Sequence, residues 1–195
     1  MKNKINIAIF ISGAGTNARR IIEHFKNHSL ISISLIVSNS IHSGALQISK
    51  DSGIPFFFGG REEFYKSNRI IEALQAHKVQ AIVLAGFLWL IPESLLKLYP
   101  NRIINIHPSL LPKYGGKGMY GMKVHEAVKN ANETKTGITI HVVNSEYDKG
   151  EVLLQESIDI HFEDHPEMIA QKIHQLEYQF FPPTIEKYFV KEFNL

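Results

Sequence analysis

Short, nearly continuous apolar runs stand at residues 5–11, 31–37, 79–85 and 103–106, separated by segments of helix length. A strand that is apolar on both sides must be covered on both faces, and that condition belongs to parallel strands inside an α/β layer structure. Helices are expected over residues 18–26, 44–52, 62–77, 93–98 and 124–130. Gly53 ahead of Pro55 stops the second of these. A further strand is expected at 54–58 before Gly59-Gly60-Arg61 breaks it, and Phe64, Ile70, Ile71 and Leu74 give the next helix an apolar face. From Thr136 the pattern changes. Thr136, Ile138, Ile140 and Val142 alternate with Gly137, Thr139, His141 and Val143, which suits an antiparallel strand with one more polar side. Residues 144–150 read as a turn, 152–160 as a returning strand, and 166–190 as a long helical region broken at Pro182-Pro183. The expectation is one α/β domain over residues 1–195 with a Rossmann-like mixed sheet. Its N-terminal half is mostly parallel, its C-terminal strands are antiparallel, and helices cover both faces.

Composition removes several function classes. The chain has 195 residues, 44% hydrophobic and 21% charged, which suits a single core. A formal charge of +2 gives no basic field for nucleic acid or an anionic membrane. There is no cysteine, so disulfides, thiolate metal sites and a cysteine nucleophile are excluded. No apolar run approaches the roughly 20 residues of a membrane span. Met1-Lys2-Asn3-Lys4 leads into a run interrupted by Asn6, a poor signal peptide and a good first strand, so a soluble cytoplasmic protein is expected. Ten histidines raise the question of a metal. His24 and His28, and His161 and His165, are spaced by four, but no carboxylate or third ligand completes a set, and His125-Glu126 lacks the second histidine of a zinc-protease helix. They read as surface residues, with no metal. No Gly-x-Ser-x-Gly elbow supports a serine hydrolase.

Two stretches carry chemistry. In Asn105-Ile106-His107-Pro108-Ser109-Leu110-Leu111-Pro112-Lys113, Asn105 and His107 share one strand face, and Pro108 ends the strand. A carboxamide and an imidazole thus emerge together at a strand's C-terminal end, where ligands sit in open α/β sheets. The second stretch is Ser12-Gly13-Ala14-Gly15-Thr16-Asn17, a tight loop between a strand and a helix. Its backbone N–H groups and the helix dipole suit a phosphate. Gly13-x-Gly15-x-x-Ala18 fits a relaxed dinucleotide fingerprint, but the second strand ends in Ser38-Asn39-Ser40 with no acid for a ribose. A monophosphate, a nicotinamide cofactor and a turn with no ligand all stay open. Trp89, in the apolar loop after residue 85, suits either core cover or the wall of a flat ligand's pocket. Residues 113–123 form a glycine-rich loop of the kind that covers ligands.

These residues resemble the 10-formyltetrahydrofolate-dependent formyltransferases, and within them the phosphoribosylglycinamide formyltransferases. The matching pieces are Ile11-Ser12-Gly13-x-Gly15-Thr16-Asn17, Leu84-Ala85-Gly86-Phe87, Asn105-Ile106-His107-Pro108-Ser109-Leu110-Leu111-Pro112, Thr136-Gly137 and Asp148-x-Gly150, in family order over nearly the whole chain. The Asn-x-His element with a downstream Asp-x-Gly is shared with methionyl-tRNA formyltransferase and formyltetrahydrofolate deformylase. The N-terminal loop and the length favour the ribonucleotide enzymes, since the other two carry added domains. The resemblance implies a phosphate and nucleotide half over residues 1–100 and a catalytic and folate half over 101–195. It implies Asn105, His107 and Asp148 as the catalytic set, and Gly15, Thr16, Asn17, His174 and Glu177 as contacts of glycinamide ribonucleotide. It implies Arg61, Leu88, Trp89, Leu90, Ile91, Asn105, Asn144 and Asp148 as contacts of the folate. The partners implied are these two small molecules, with 10-formyltetrahydrofolate as cosubstrate, and nothing fixes an oligomeric state. Trp89 stands where some relatives have Arg, and residues 117–122 depart from the usual segment.

The implied chemistry is direct transfer through a tetrahedral oxyanion held by Asn105 and a protonated His107, with His107 assisting as general acid. Asp148, if close, raises the His107 pKa and holds a relaying water. Two other classes share part of this machinery: a hydrolase that releases formate from the same folate, and a catalytically silent nucleotide-binding domain.

Overall fold

The computed structural model describes residues 4–195. One seven-stranded sheet runs in the order β3-β2-β1-β4-β5-β6-β7. Its strands are β1 (Ile5–Ile11), β2 (Ile31–Ser38), β3 (Phe56–Phe58), β4 (Ala81–Leu84), β5 (Ile103–His107), β6 (Lys135–Val142) and β7 (Val152–Asp159). The first five are parallel, and β6 and β7 are antiparallel to their neighbours. The helices are α1 (Thr16–Phe25), α2 (Ala45–Ser52), α3 (Arg61–Tyr65), α4 (Arg69–Ala76), α5 (Glu93–Leu98), α6 (Met122–Asn130) and α7 (Pro166–Glu192).

β1 shows why the apolar runs are continuous. Ile7, Ile9 and Ile11 join a core under α1, α2, α6 and α7, while Ala8 and Phe10 join a second core under α3, α4 and α5. Strand order reverses at β1 and β4, so the loops after those strands diverge and leave a crevice at their C-terminal ends. The side chains of β5 that face this crevice are set by its two-residue period.

Several boundaries differ from expectation. The strand expected at 79–85 is only Ala81–Leu84, and the helix expected from 124 starts at Met122. α1 begins at Thr16, two residues early, because Gly15 takes a left-handed φ of 77° and turns the chain directly into the helix. The third strand shortens to Phe56–Phe58. The single helix expected over 62–77 is two, with the break at residues 66–68. The break expected at Pro182-Pro183 is absent, and α7 runs unbroken for 27 residues. Two prolines remove two backbone donors, which normally kinks a helix. Here Ile169, Ile173, Phe181, Ile185 and Phe189, on both sides of the pair, are fully buried, and the Thr184 hydroxyl donates to the Phe180 carbonyl at 2.7 Å. Packing holds the helix together through the site of lost hydrogen bonds.

Candidate active site

The cavity opens where the ends of β1, β4 and β5 meet, and has a volume of about 630 Å³. The loop after β1 forms its floor. The α1 N-terminus presents the amides of Thr16 and Asn17 ahead of the helix's own first bonds. Glycine is required at position 15: φ is 77°, and a Cβ there would lie 2.5 Å from Ile48 Cδ1. The loop is tied to its neighbour after β4, since Ser12 N donates to the Gly86 carbonyl at 3.1 Å and Leu88 N donates to Ser12 Oγ at 2.9 Å.

α7 reaches across to the same floor. Asn17 Nδ2 donates to Glu177 Oε2 at 2.9 Å, and His174 Nδ1 lies 2.9 Å from the same oxygen. The hydrogen bond to Glu177 raises the His174 pKa against an opposing effect of burial. Glu177 itself is 5% exposed and lines the cavity. Asn17 and Glu177 lie 160 positions apart in sequence, so only the tertiary fold could join them.

The opposite wall carries Asn105, His107 and Asp148. β5 delivers the first two on one face. Asp148 sits in a left-handed turn, φ 56°, and accepts a hydrogen bond from Gly116 N at 2.8 Å on Oδ2. Gly150 closes that turn against β6: a Cβ there would lie 1.6 Å from the Val142 carbonyl oxygen, so the Asp-x-Gly spacing is steric in origin. His107 Nδ1 stands 3.5 Å from Asp148 Oδ2, with the two side chains 5% and 11% exposed.

The imidazole tautomer follows from the other ring nitrogen. His107 Nε2 lies 2.8 Å from the Tyr114 carbonyl, which can only accept, so Nε2 carries the proton of the neutral ring. Nδ1 then has a free lone pair facing the Asp148 carboxylate. Burial pushes the His107 pKa below its ordinary value, and the nearby Asp148 carboxylate and Tyr114 carbonyl oppose this without prevailing. Asp148 does push His107 upward, as expected, but desolvation is larger, so it is the expected protonated His107 that is corrected. Asp148 is itself held below the ordinary carboxylate range. Burial acts to raise it, and the His141 imidazole, the His107 charge and the Gly116 N–H together outweigh burial.

His141 is one of the residues that sequence reasoning missed. It pairs with Asn105 across the β5–β6 ladder and is 2% exposed. Its Nδ1 lies 3.0 Å from the Val142 carbonyl, which leaves Nε2 as an acceptor for Asn105 Nδ2 at 3.1 Å. This bond fixes which way the Asn105 amide points. His141 Nε2 is also 3.6 Å from Asp148 Oδ1. A histidine on the polar side of β6 was visible, but its partner depends on register.

Not every expected contact reaches the cavity wall. Gly15, Thr16, Asn17, Leu88, Asn105, His107, Asp148, His174 and Glu177 line it, and Arg61, Trp89, Leu90, Ile91 and Asn144 do not. The Arg61 guanidinium lies over the Trp89 ring at 5.1 Å, and Trp89 packs edge-on against Phe64 at 5.6 Å. Tyr65 Oη donates to the Leu90 carbonyl at 2.8 Å, and Ile91 is buried in the second core. The Trp89 segment is thus packed against α3, beside Leu88 of the cavity wall. The surface reading of the histidines is corrected at His125, while His24 is exposed as expected and His28 is half-buried. His125 is 2% exposed and lines the cavity. His24 and His28 both meet Glu186 of α7, at 2.8 and 3.1 Å. That carboxylate arrives from a helix remote in sequence, which spacing within α1 could not reveal. Among the described residues no group of three or more histidine, aspartate or glutamate side chains is arranged to hold a metal. Nor is any described helix long and apolar enough to cross a membrane.

Comparison with known proteins matches the chain to one family. The formyl transferase family model covers residues 5–185. The chain is 36% identical over 185 residues to the chloroplastic phosphoribosylglycinamide formyltransferase of Arabidopsis thaliana, spanning 92% of this chain and 63% of that protein. The corresponding Vigna unguiculata protein is likewise matched over only 59% of its length. The Bacillus subtilis phosphoribosylglycinamide formyltransferase is 35% identical, with 92% of each chain covered. Among solved structures, that of phosphoribosylglycinamide formyltransferase from Bacillus halodurans superposes with a TM-score of 0.86 at 33% identity, over 97% of this chain and 98% of that one.

Proposed function

This chain belongs to the formyl transferase family, and we propose that it transfers the formyl group of 10-formyltetrahydrofolate to the amine of 5′-phosphoribosylglycinamide, a step of purine biosynthesis. One observation carries the reading. A helix N-terminus suited to a phosphate and the Asn105, His107 and Asp148 group open onto the same cavity. A hydrolase of the folate alone has no use for the first, and a silent nucleotide binder has none for the second. The relatives' names point the same way.

The proposed sequence of events uses the tautomer derived above. The phosphate binds at the amides of residues 15–17, with the α1 dipole favouring its charge. The folate's formyl carbon is placed beside Asn105 and His107. The glycinamide amine attacks it, and the carbonyl oxygen becomes an oxyanion to which the free Asn105 N–H donates. His107 Nδ1, unprotonated at rest, takes a proton from the attacking nitrogen. The imidazolium so formed lies between the oxyanion and the Asp148 carboxylate, which stabilises it at 3.5 Å. The same proton is then given to N10 of the folate as the carbon–nitrogen bond breaks, leaving formylated ribonucleotide and tetrahydrofolate. No covalent enzyme intermediate enters this sequence.

Incubation with 10-formyltetrahydrofolate, with and without glycinamide ribonucleotide, tests the proposal by following formylated product and free formate together. Product formed only when the ribonucleotide is present supports it. Formate released at the same rate in both mixtures assigns the chain to hydrolysis, and no turnover in either assigns it to binding alone.

A further inference from the structure

His125 is a buried polar side chain that the mechanism does not use. It lies on the inner face of α6 beside Val124 and Val128, is 2% exposed, and lines the cavity. Its Nδ1 is shut off from solvent and has no hydrogen-bond partner. Burial pushes the ring down to about 4, and the charges of His174, Glu177 and His107 all act on it. The imidazole is therefore neutral, with one N–H and one lone pair. An orphaned buried N–H is rarer than an orphaned acceptor, so the proton belongs on Nε2. That nitrogen has no protein partner either, and it is the ring's open side.

The neighbouring Glu177 presents the complementary half. Its Oε2 is occupied by Asn17 and His174, while Oε1 is free on the cavity wall. A carboxylate oxygen only accepts, and His125 Nε2–H only donates. A hydroxyl group is the ligand function that can give to one and receive from the other.

We infer that His125 is a substrate-contact residue, donating from Nε2 to a sugar hydroxyl of the ribonucleotide while that hydroxyl donates to Glu177. This rests on the function proposed above. It explains why a histidine occupies a position on the apolar face of α6: the ligand supplies the partner that the fold withholds.

The test is calorimetric binding of glycinamide ribonucleotide, and separately of 10-formyltetrahydrofolate, to wild type, His125→Phe and His125→Gln. Phenylalanine keeps the ring and removes both nitrogens; glutamine returns an N–H close to the Nε2 position. One neutral hydrogen bond corresponds to about a threefold to tenfold change in affinity. His125→Phe should weaken ribonucleotide binding by that factor, His125→Gln should recover most of it, and folate affinity should stay within about twofold. The 2′-deoxy and 3′-deoxy ribonucleotides form the second arm, and one of them should bind wild type and His125→Phe equally. Thermal unfolding of the ligand-free variants gives a third readout. His125→Phe should be at least as stable as wild type, because it removes an unsatisfied buried nitrogen. Unchanged ribonucleotide affinity in His125→Phe, or equal loss of both ligands, overturns the inference. Wild type that fails to bind the ribonucleotide overturns the proposed function and this inference together.

Discussion

Replacing Asp148 by asparagine probes the proton relay with little change of shape. The structure puts the carboxylate 3.5 Å from His107 Nδ1, with both side chains nearly buried. At an effective dielectric of about 20, unit charges at that distance attract by about 5 kcal/mol. At about 1.4 kcal/mol per power of ten, this sets a ceiling of about three powers of ten on the loss of rate. The amide oxygen of the Asp148→Asn side chain can still accept from Gly116 N, so the turn that carries the residue keeps its anchor. The expected result is a kcat about 10²–10³ lower, with KM values for both ligands nearly unchanged. The pH profile carries the sign. Without the Asp148 carboxylate only the upward push on His107 is lost, and the downward push of burial remains. The pKa of His107 falls further, so the acid limb of kcat/KM should move to lower pH while the plateau drops. A plateau within about twofold of wild type, with the limb unmoved, would refute the relay. His107→Ala and the double variant complete the test, because residues acting as one unit give a double variant little worse than the worse single one.

Three further outcomes are expected. Asn105→Ala should lower kcat by about 10²–10³ while the protein stays folded, and near-normal turnover would remove Asn105 from the mechanism. Gly15→Val should weaken ribonucleotide binding far more than folate binding, since its Cβ meets Ile48 at 2.5 Å and the α1 N-terminus must shift; equal loss of both ligands would argue against a dedicated phosphate site. Hydrogen bonds from His24 and His28 hold the Glu186 carboxyl below its ordinary value of 4.5, so the stability it contributes is present above pH 4.5 and is lost as pH falls through its folded pKa. The melting-temperature gap between wild type and Glu186→Gln should accordingly be seen at about pH 6 and shrink at about pH 3, and a gap that grows on acidification would contradict the clasp.

Local pattern reached furthest where local forces decide. The parallel strands were legible because burial on both faces leaves continuous apolar runs, as the two-sided packing of β1 shows. The β1 loop and the end of β5 were legible because glycine admits the left-handed turn at position 15 and proline fixes the backbone after His107. What escaped was set by contacts remote in sequence. His141 meets Asn105 through strand register, and Glu186 reaches His24 and His28 from α7. His125 stood beside Val124 on a predicted helix, a polar residue on an apolar stripe, and that pattern was the available sign of its burial. The proline pair in α7 misled because core packing around Phe181 and Ile185 overrides the intrinsic cost to the helix. The downward shift of His107 could not come from charge partners alone, since it is governed by the depth of burial.

The most direct test of the central claim, transfer within one cavity, is a single turnover with 10-formyltetrahydrofolate labelled with ¹³C in the formyl group, excess enzyme, glycinamide ribonucleotide and a pool of unlabelled formate. The account predicts that the label passes quantitatively to the ribonucleotide amine and that none is diluted by the pool. Labelled formate released before product forms, or unlabelled formyl groups in the product, would contradict it.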